Sequence, residues 1–160
     1  MRQVILGVDP GSRDTGFGVI QGEGEHLLHL ASGRIHTGRP PALENRLRQI
    51  YDGLTALIAE HQPQALALEE IFLAANVRTA FILGQVRGVV ILAAAQAAVP
   101  IFHYPPATVK KAVVGYGQAT KAQVQLMIEH LLGLKVTNEH AADALAVGVC
   151  HHFHSRWPGG

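Results

Sequence analysis

The sequence predicts a single α/β domain built on a mixed five-stranded sheet, three antiparallel strands followed by parallel crossovers, with helices on both faces. Three observations carry this. The first forty residues read as short strands joined by Gly-rich turns, and the remainder alternates helical periodicity with short apolar strands. A chain of 160 residues, 48% apolar and 16% charged, suits one sizeable core and not a disordered segment. The domain is expected to span residues 1–160, with a short polar tail from about residue 154.

Gln3 to Val8 reads as the first strand, closed by the turn Asp9-Pro10-Gly11-Ser12. Gly16 to Gln21 and Leu27 to Ile35 follow, joined at Gly22-Glu23-Gly24, and complete an antiparallel meander. Pro40-Pro41 marks a loop. Leu43, Leu47, Ile50, Leu54, Leu57 and Ile58 then recur at helical spacing until Gln62-Pro63. Ala65 to Glu69 is a short apolar strand. Asn76 to Ala98 is a long helix, apolar nearly all round and so expected to be deeply buried. Pro100 ends it, and Ile101 to Tyr104 is the fifth strand. Pro106 to Val114 reads as a helix. Thr120 and Gln123 form a capping box for the next, which Gly133 closes. Asn138 caps a last helix running to about Phe153. The order βββ-α-β-α-β-α-α-α, with right-handed crossovers, matches the ribonuclease-H-like fold.

Net charge is +1, which excludes little, but its distribution says more. No Asp or Glu occurs between Ile71 and Ile128, a stretch that carries Arg78, Arg87, Lys110, Lys111 and Lys121. A one-signed surface of this kind attracts polyanions. Charge alone leaves nucleic acid and an ordinary solvated patch both open. The single Cys150 excludes an internal disulfide and suits a reducing cytoplasm. No secretory pattern opens the chain, and the apolar run Gly88 to Ala95 falls short of the roughly 20 residues a membrane span needs.

The acids point to chemistry. Asp9 and Glu69 each end an apolar strand, where an unpaired charge is costly. If the strands are parallel neighbours, about 4.8 Å apart, the carboxylates crowd one another and call for a cation. Asp143 lies in the apolar helix Ala141 to Ala146, with His140 one turn before it on the same face. Hard oxygen ligands suit Mg²⁺ or Mn²⁺, and two ions about 3.5–4 Å apart can clamp both oxygens of a phosphodiester displacement. Among the cations Lys121 stands out. It opens a helix, where its charge opposes the helix dipole but where free N–H groups favour a bound anion.

Ile5-Leu6-Gly7-Val8-Asp9-Pro10-Gly11-Ser12-Arg13 with Thr15-Gly16, Ala67-Leu68-Glu69-Glu70-Ile71-Phe72, Leu83 to Gly88, Val113 to Gly117, and Ala141 to Ala146 form five ordered segments. Together they resemble the RuvC family of Holliday-junction resolvases from Val4 to about Cys150. The resemblance implies a metal-dependent endonuclease that resolves four-way junctions by symmetric paired nicks in recombination and repair, leaving 5′-phosphate and 3′-hydroxyl ends. It implies that Asp9, Glu69 and Asp143 bind catalytic metal, with Glu69 preferred to Glu70, whose side chain alternates to the other face. It also implies that Lys110 and Lys121 meet phosphate, and that Phe72 stacks on a base. Arg78, Lys111 and Tyr116 are further candidates for DNA contact. His140 departs from the pattern, since many relatives carry an acid there; as a metal ligand it predicts better activity with Mn²⁺ than with Mg²⁺, and loss at low pH as it protonates. Cleaving a two-fold junction needs two sites, hence a homodimer, for which Asn76–Ala98 is the candidate interface. Cooperation with the branch-migration proteins RuvA and RuvB is implied as well. His151, His152 and His154 are assigned to the polar tail.

Two rivals remain. An ATP-binding fold of the actin and sugar-kinase type also opens on an Asp-x-Gly turn, but needs two such domains. A non-catalytic junction-binding module would have no use for clustered acids, which repel DNA.

Overall fold

The structure, a computed structural model, describes residues 1–38, 42–70 and 76–156. Its sheet is built from β1 (Gln3–Asp9), β2 (Asp14–Glu23), β3 (His26–His36), β4 (Ala65–Glu69) and β5 (Ile101–Tyr104), in the order β3-β2-β1-β4-β5. The first three strands pair antiparallel, and β4 and β5 add in parallel. Among the described residues five helices cover it: α1 (Leu43–His61), α2 (Val77–Gln96), α3 (Pro106–Val114), α4 (Lys121–Leu132) and α5 (Glu139–Arg156). The expected mixed sheet and element order are therefore present.

Strand alternation divides the interior into two cores. Leu6 and Val8 of β1, Val19 of β2, and Leu66 and Leu68 of β4 pack against α1 and α2. Ile5, Ile20 and Ala67 pack on the opposite side with α3, α4 and α5. Side-chain caps start three of the helices. Asn76 Oδ1 accepts from Thr79 N–H, Thr120 and Gln123 complete their capping box, and Asn138 Oδ1 accepts from Ala141 N–H.

Two expectations fail. The long helix is not deeply buried: only Val86, Val90, Ala93 and Ala94 of α2 are, while Val77 and Phe81 are 72% and 70% exposed. One face of α2 meets the sheet and α1, and among the described residues no further layer covers the other. The histidines are not in a polar tail either. The last helix continues to Arg156, and His151 and His152 point into the protein, 2% and 3% exposed.

His151 Nδ1 pairs with the Tyr104 hydroxyl at 2.6 Å, and its ring packs on Phe102. His152 Nε2–H donates to the Gly24 carbonyl at 2.8 Å. Burial, with His152 and His154 nearby, pushes His151 down to about 4. The unfolded chain takes up this proton near pH 6.5, so stability is lost as pH falls from there toward 4, by roughly 2–3 kcal/mol. His151→Gln keeps a partner for Tyr104 but does not titrate. Its acid-unfolding midpoint should therefore move to lower pH, and an unchanged midpoint would count against a buried neutral imidazole.

Candidate active site

The β1–β4 ladder runs in register from Ile5↔Ala65 to Val8↔Leu68, which sets Asp9 and Glu69 side by side just past its last pair. Alternation turns both toward α5, on the side of Ile5 and Ala67. The helix comes very close to the sheet because glycines line its seat. A Cβ on Gly7 would overlap the Ala144 carbonyl oxygen, and one on Gly16 the His140 carbonyl. With backbone resting on backbone, the first two turns of α5 bring His140 and Asp143 to the strand ends.

His140 Nδ1 stands 3.4 Å from Asp9 Oδ2, and Nε2 stands 4.0 Å from Asp14 Oδ2. Asp14 is itself held by Arg34 at 2.9 Å and His36 at 2.6 Å. Across the site Lys121 Nζ bridges Glu139 at 2.5 Å and Asp143 at 3.2 Å. Glu69, Lys110, Lys121 and Asp143 line a hollow of about 300 Å³, walled by Val109, Val124 and Ala146.

Burial is the main cause that raises all three acids. Asp9 reaches about 6, with the Asp143 charge adding to the effect and His140 opposing it. Glu69 is raised further by Asp143 and Asp9. For Asp143 the nearby Lys121 works against the rise. Partly buried carboxylates that repel one another suit a hard divalent cation by charge and donor type. Among the described residues no three His, Cys, Asp or Glu side chains yet stand together at ion-holding spacing. Lys121 supplies the positive charge beside Asp143 in this arrangement.

Glu70 does not line the hollow; its N–H donates to the Tyr104 carbonyl. Lys110 and Lys121 come together there. Lys111, Arg78 and Tyr116 are exposed and do not line it. Phe72 lies outside the described residues. Three residues were not foreseen. Glu139 shares Lys121 with Asp143, Asp14 faces His140, and Arg87 donates to the Glu69 carbonyl at 2.6 Å. Only the β2–β3 register, Asp14↔His36, could have pointed to Asp14.

A five-stranded mixed sheet of this order, with acids at the adjacent ends of its two central strands, defines the ribonuclease-H-like class. The sequence model of one family, crossover junction endodeoxyribonuclease RuvC, matches residues 5–151. A RuvC from Shewanella baltica is 50% identical over 154 residues, covering 96% of this chain and 88% of that protein. One from Geobacter sulfurreducens is 48% identical over 148 residues, covering 92% and 90%. The structure of Thermus thermophilus RuvC in complex with Holliday junction substrate superposes with a TM-score of 0.92 at 34% identity, covering 96% of this chain and 95% of that one. The chain belongs to the RuvC family of crossover junction endodeoxyribonucleases.

Proposed function

We propose that this chain binds four-way junction DNA and, as a homodimer, resolves it by symmetric paired nicks that leave 5′-phosphate and 3′-hydroxyl ends. The observation that carries the chemistry is the convergence of Asp9, Glu69 and Asp143 on one side of the sheet, each raised by burial. These three would hold Mg²⁺ or Mn²⁺, with His140 as a fourth donor that favours Mn²⁺. Divalent ions at such a site supply Lewis acidity and lower the pKa of water.

The chain's own groups do the positioning. Lys110 and Lys121 flank the hollow, where a backbone phosphate entering beside Glu69 and Asp143 meets two cations. Lys121 also opens α4, adding free N–H groups for an anion. A phosphate there competes with Glu139 and Asp143 for the Lys121 ammonium. The exposed face of α2, Val77, Phe81 and Gly84, is suited to a two-fold partner. Cooperation with RuvA and RuvB, and a cytoplasmic site of action, rest on family membership.

The test is an end-labelled four-way junction incubated with Mn²⁺ or Mg²⁺ beside a linear duplex and an Asp143→Asn control. Paired nicks in the junction alone, absent from the control and after EDTA, support the proposal. Tight binding without cleavage in either ion would point to a binding module. Lys121→Ala should slow cleavage on the order of a hundredfold. Its folding stability should change by no more than about 1 kcal/mol, since the ammonium is largely solvated and unfavourably placed for the helix dipole. Stopped-time cleavage and thermal melts on one preparation check both halves, and an equal loss of folding would remove the phosphate role.

A further inference from the structure

The segment Leu83 to Gly88 has no part in the chemistry above, yet one of its side chains reaches the strand end that carries Glu69. Arg87 sits on α2, and its Nη1–H donates to the Glu69 main-chain carbonyl at 2.6 Å. Its Nη2 lies 3.1 Å from His103 Nδ1, on the neighbouring strand β5. The paired ladder between β1 and β4 stops at Val8↔Leu68, one residue short of Glu69. On the other side β4 pairs with β5 through Glu69↔Tyr104, and Glu70 N–H donates to the Tyr104 carbonyl. The guanidinium therefore takes over where the β1 ladder ends. It is a planar fork, and with one arm on Glu69 and the other on His103 it fixes both a distance and a direction.

The geometry points to Arg87 as a positioning residue that sets the Glu69 carboxylate through its backbone and couples it to the α2 helix. This inference rests on the reading of Glu69 as a metal-holding acid. Arg87 reaches the Glu69 main chain and makes no ion pair with its carboxylate among the described residues. The charges felt at Glu69 are those of Asp143, Asp9, Lys110 and Lys121, while Arg87 is faced by Glu70. Its effect is mechanical. Glu69 lies one residue past the β1–β4 ladder, and a displacement near 1 Å at a reacting group can cost about a hundredfold in rate. Residues that orient metal-holding groups from outside typically matter by about 10–100-fold in affinity or activity. The coupling also has a direction. The helix that offers its apolar face to a second copy is the one that holds Glu69, so association of two chains and the setting of the acid share one rigid element.

The experiment compares Arg87→Met, Arg87→Lys and Arg87→Ala with Glu69→Gln in the full chain. The measurements are single-turnover junction cleavage, junction binding without divalent ion, and Mn²⁺ binding by calorimetry without DNA. The expected result for Arg87→Met is a 10–100-fold lower cleavage rate and weaker Mn²⁺ binding, with junction affinity unchanged. Arg87→Lys, which can satisfy one acceptor but not the fork, should lie between Met and the parent. Guanidinium added at concentrations far below those that unfold proteins should restore part of the Arg87→Ala rate, which a merely destabilised protein would not show. A cleavage rate and Mn²⁺ affinity in Arg87→Met equal to the parent, or a folded Arg87→Ala that guanidinium does not restore, would overturn the inference. Full activity in Glu69→Gln would instead remove the reading of Glu69 itself.

Discussion

Asp9→Asn should abolish junction cleavage and at the same time make the metal-free protein more stable. Loss of an acid that holds the catalytic ion should cost at least about a thousandfold, or roughly 4 kcal/mol of transition-state stabilisation. The opposite sign for folding follows from the ionisation of Asp9, raised to about 6 by burial first and by Asp143 second. In the unfolded chain it loses its proton near pH 4. The folded metal-free protein holds that proton more tightly, so its stability declines as pH rises from about 4 to about 6 and stays reduced above. At neutral pH the charged form carries a penalty of roughly 1–3 kcal/mol, which an amide does not have. Thermal melts should show a rise of several degrees for Asp9→Asn at pH 7, and little difference near pH 4. Divalent ion at about a hundred times its dissociation constant adds about 2.7 kcal/mol to the parent protein, and should add little to the variant. A variant that melts lower than the parent at pH 7 without metal would contradict the account. Between pH 4 and 6 His151 acts in the opposite direction, so the comparison must be made against the parent at each pH.

Phe81→Glu should leave the fold intact and dissociate the proposed dimer. Phe81 is 70% exposed in the isolated chain and borders a shallow hollow of about 450 Å³ formed with Val77, Ala80, Gly84 and Gln85. In a two-fold pair every loss is counted twice. Burying one phenylalanine contributes roughly 1.5–3 kcal/mol, so two contribute about 3–6. The dissociation constant should then rise by about 10²–10⁴-fold, more if the two glutamates face each other. Sedimentation should show monomer at concentrations where the parent is dimeric. On junction DNA, paired nicks should give way to slow, uncoupled single nicks. A dimeric Phe81→Glu that still cuts both strands together would move the interface elsewhere on the molecule.

Much of this was legible in the residues. The strands Ala65 to Glu69 and Ile101 to Tyr104 and the helix Pro106 to Val114 have the expected bounds, because Pro and Gly punctuate them. The acids were legible for a related reason: a charge closing an apolar strand has few structural uses. Burial was harder to read. The apolar circumference of α2 predicts depth, but composition cannot tell a core from an exposed apolar face. His151 and His152 were misplaced because two adjacent polar rings resemble a tail until the helix beneath them is known to continue to Arg156. Asp14 and Arg87 were beyond reach, since each matters through a residue far off in the chain, His140 and Glu69.

The glycine seat beneath α5 has a consequence for how the protein can move. A helix resting on side chains can slide while rotamers adjust; one resting on bare backbone is indexed, like a key in a cut slot. Shifting α5 by a single residue would turn His140 and Asp143 through about 100° and carry them about 1.5 Å along the axis, with no intermediate seat. The wall formed by β1, β2 and α5 is thus the fixed jaw of the site. Any adjustment to a substrate is then left to the opposite wall, the α3–α4 corner with Lys110 and Lys121.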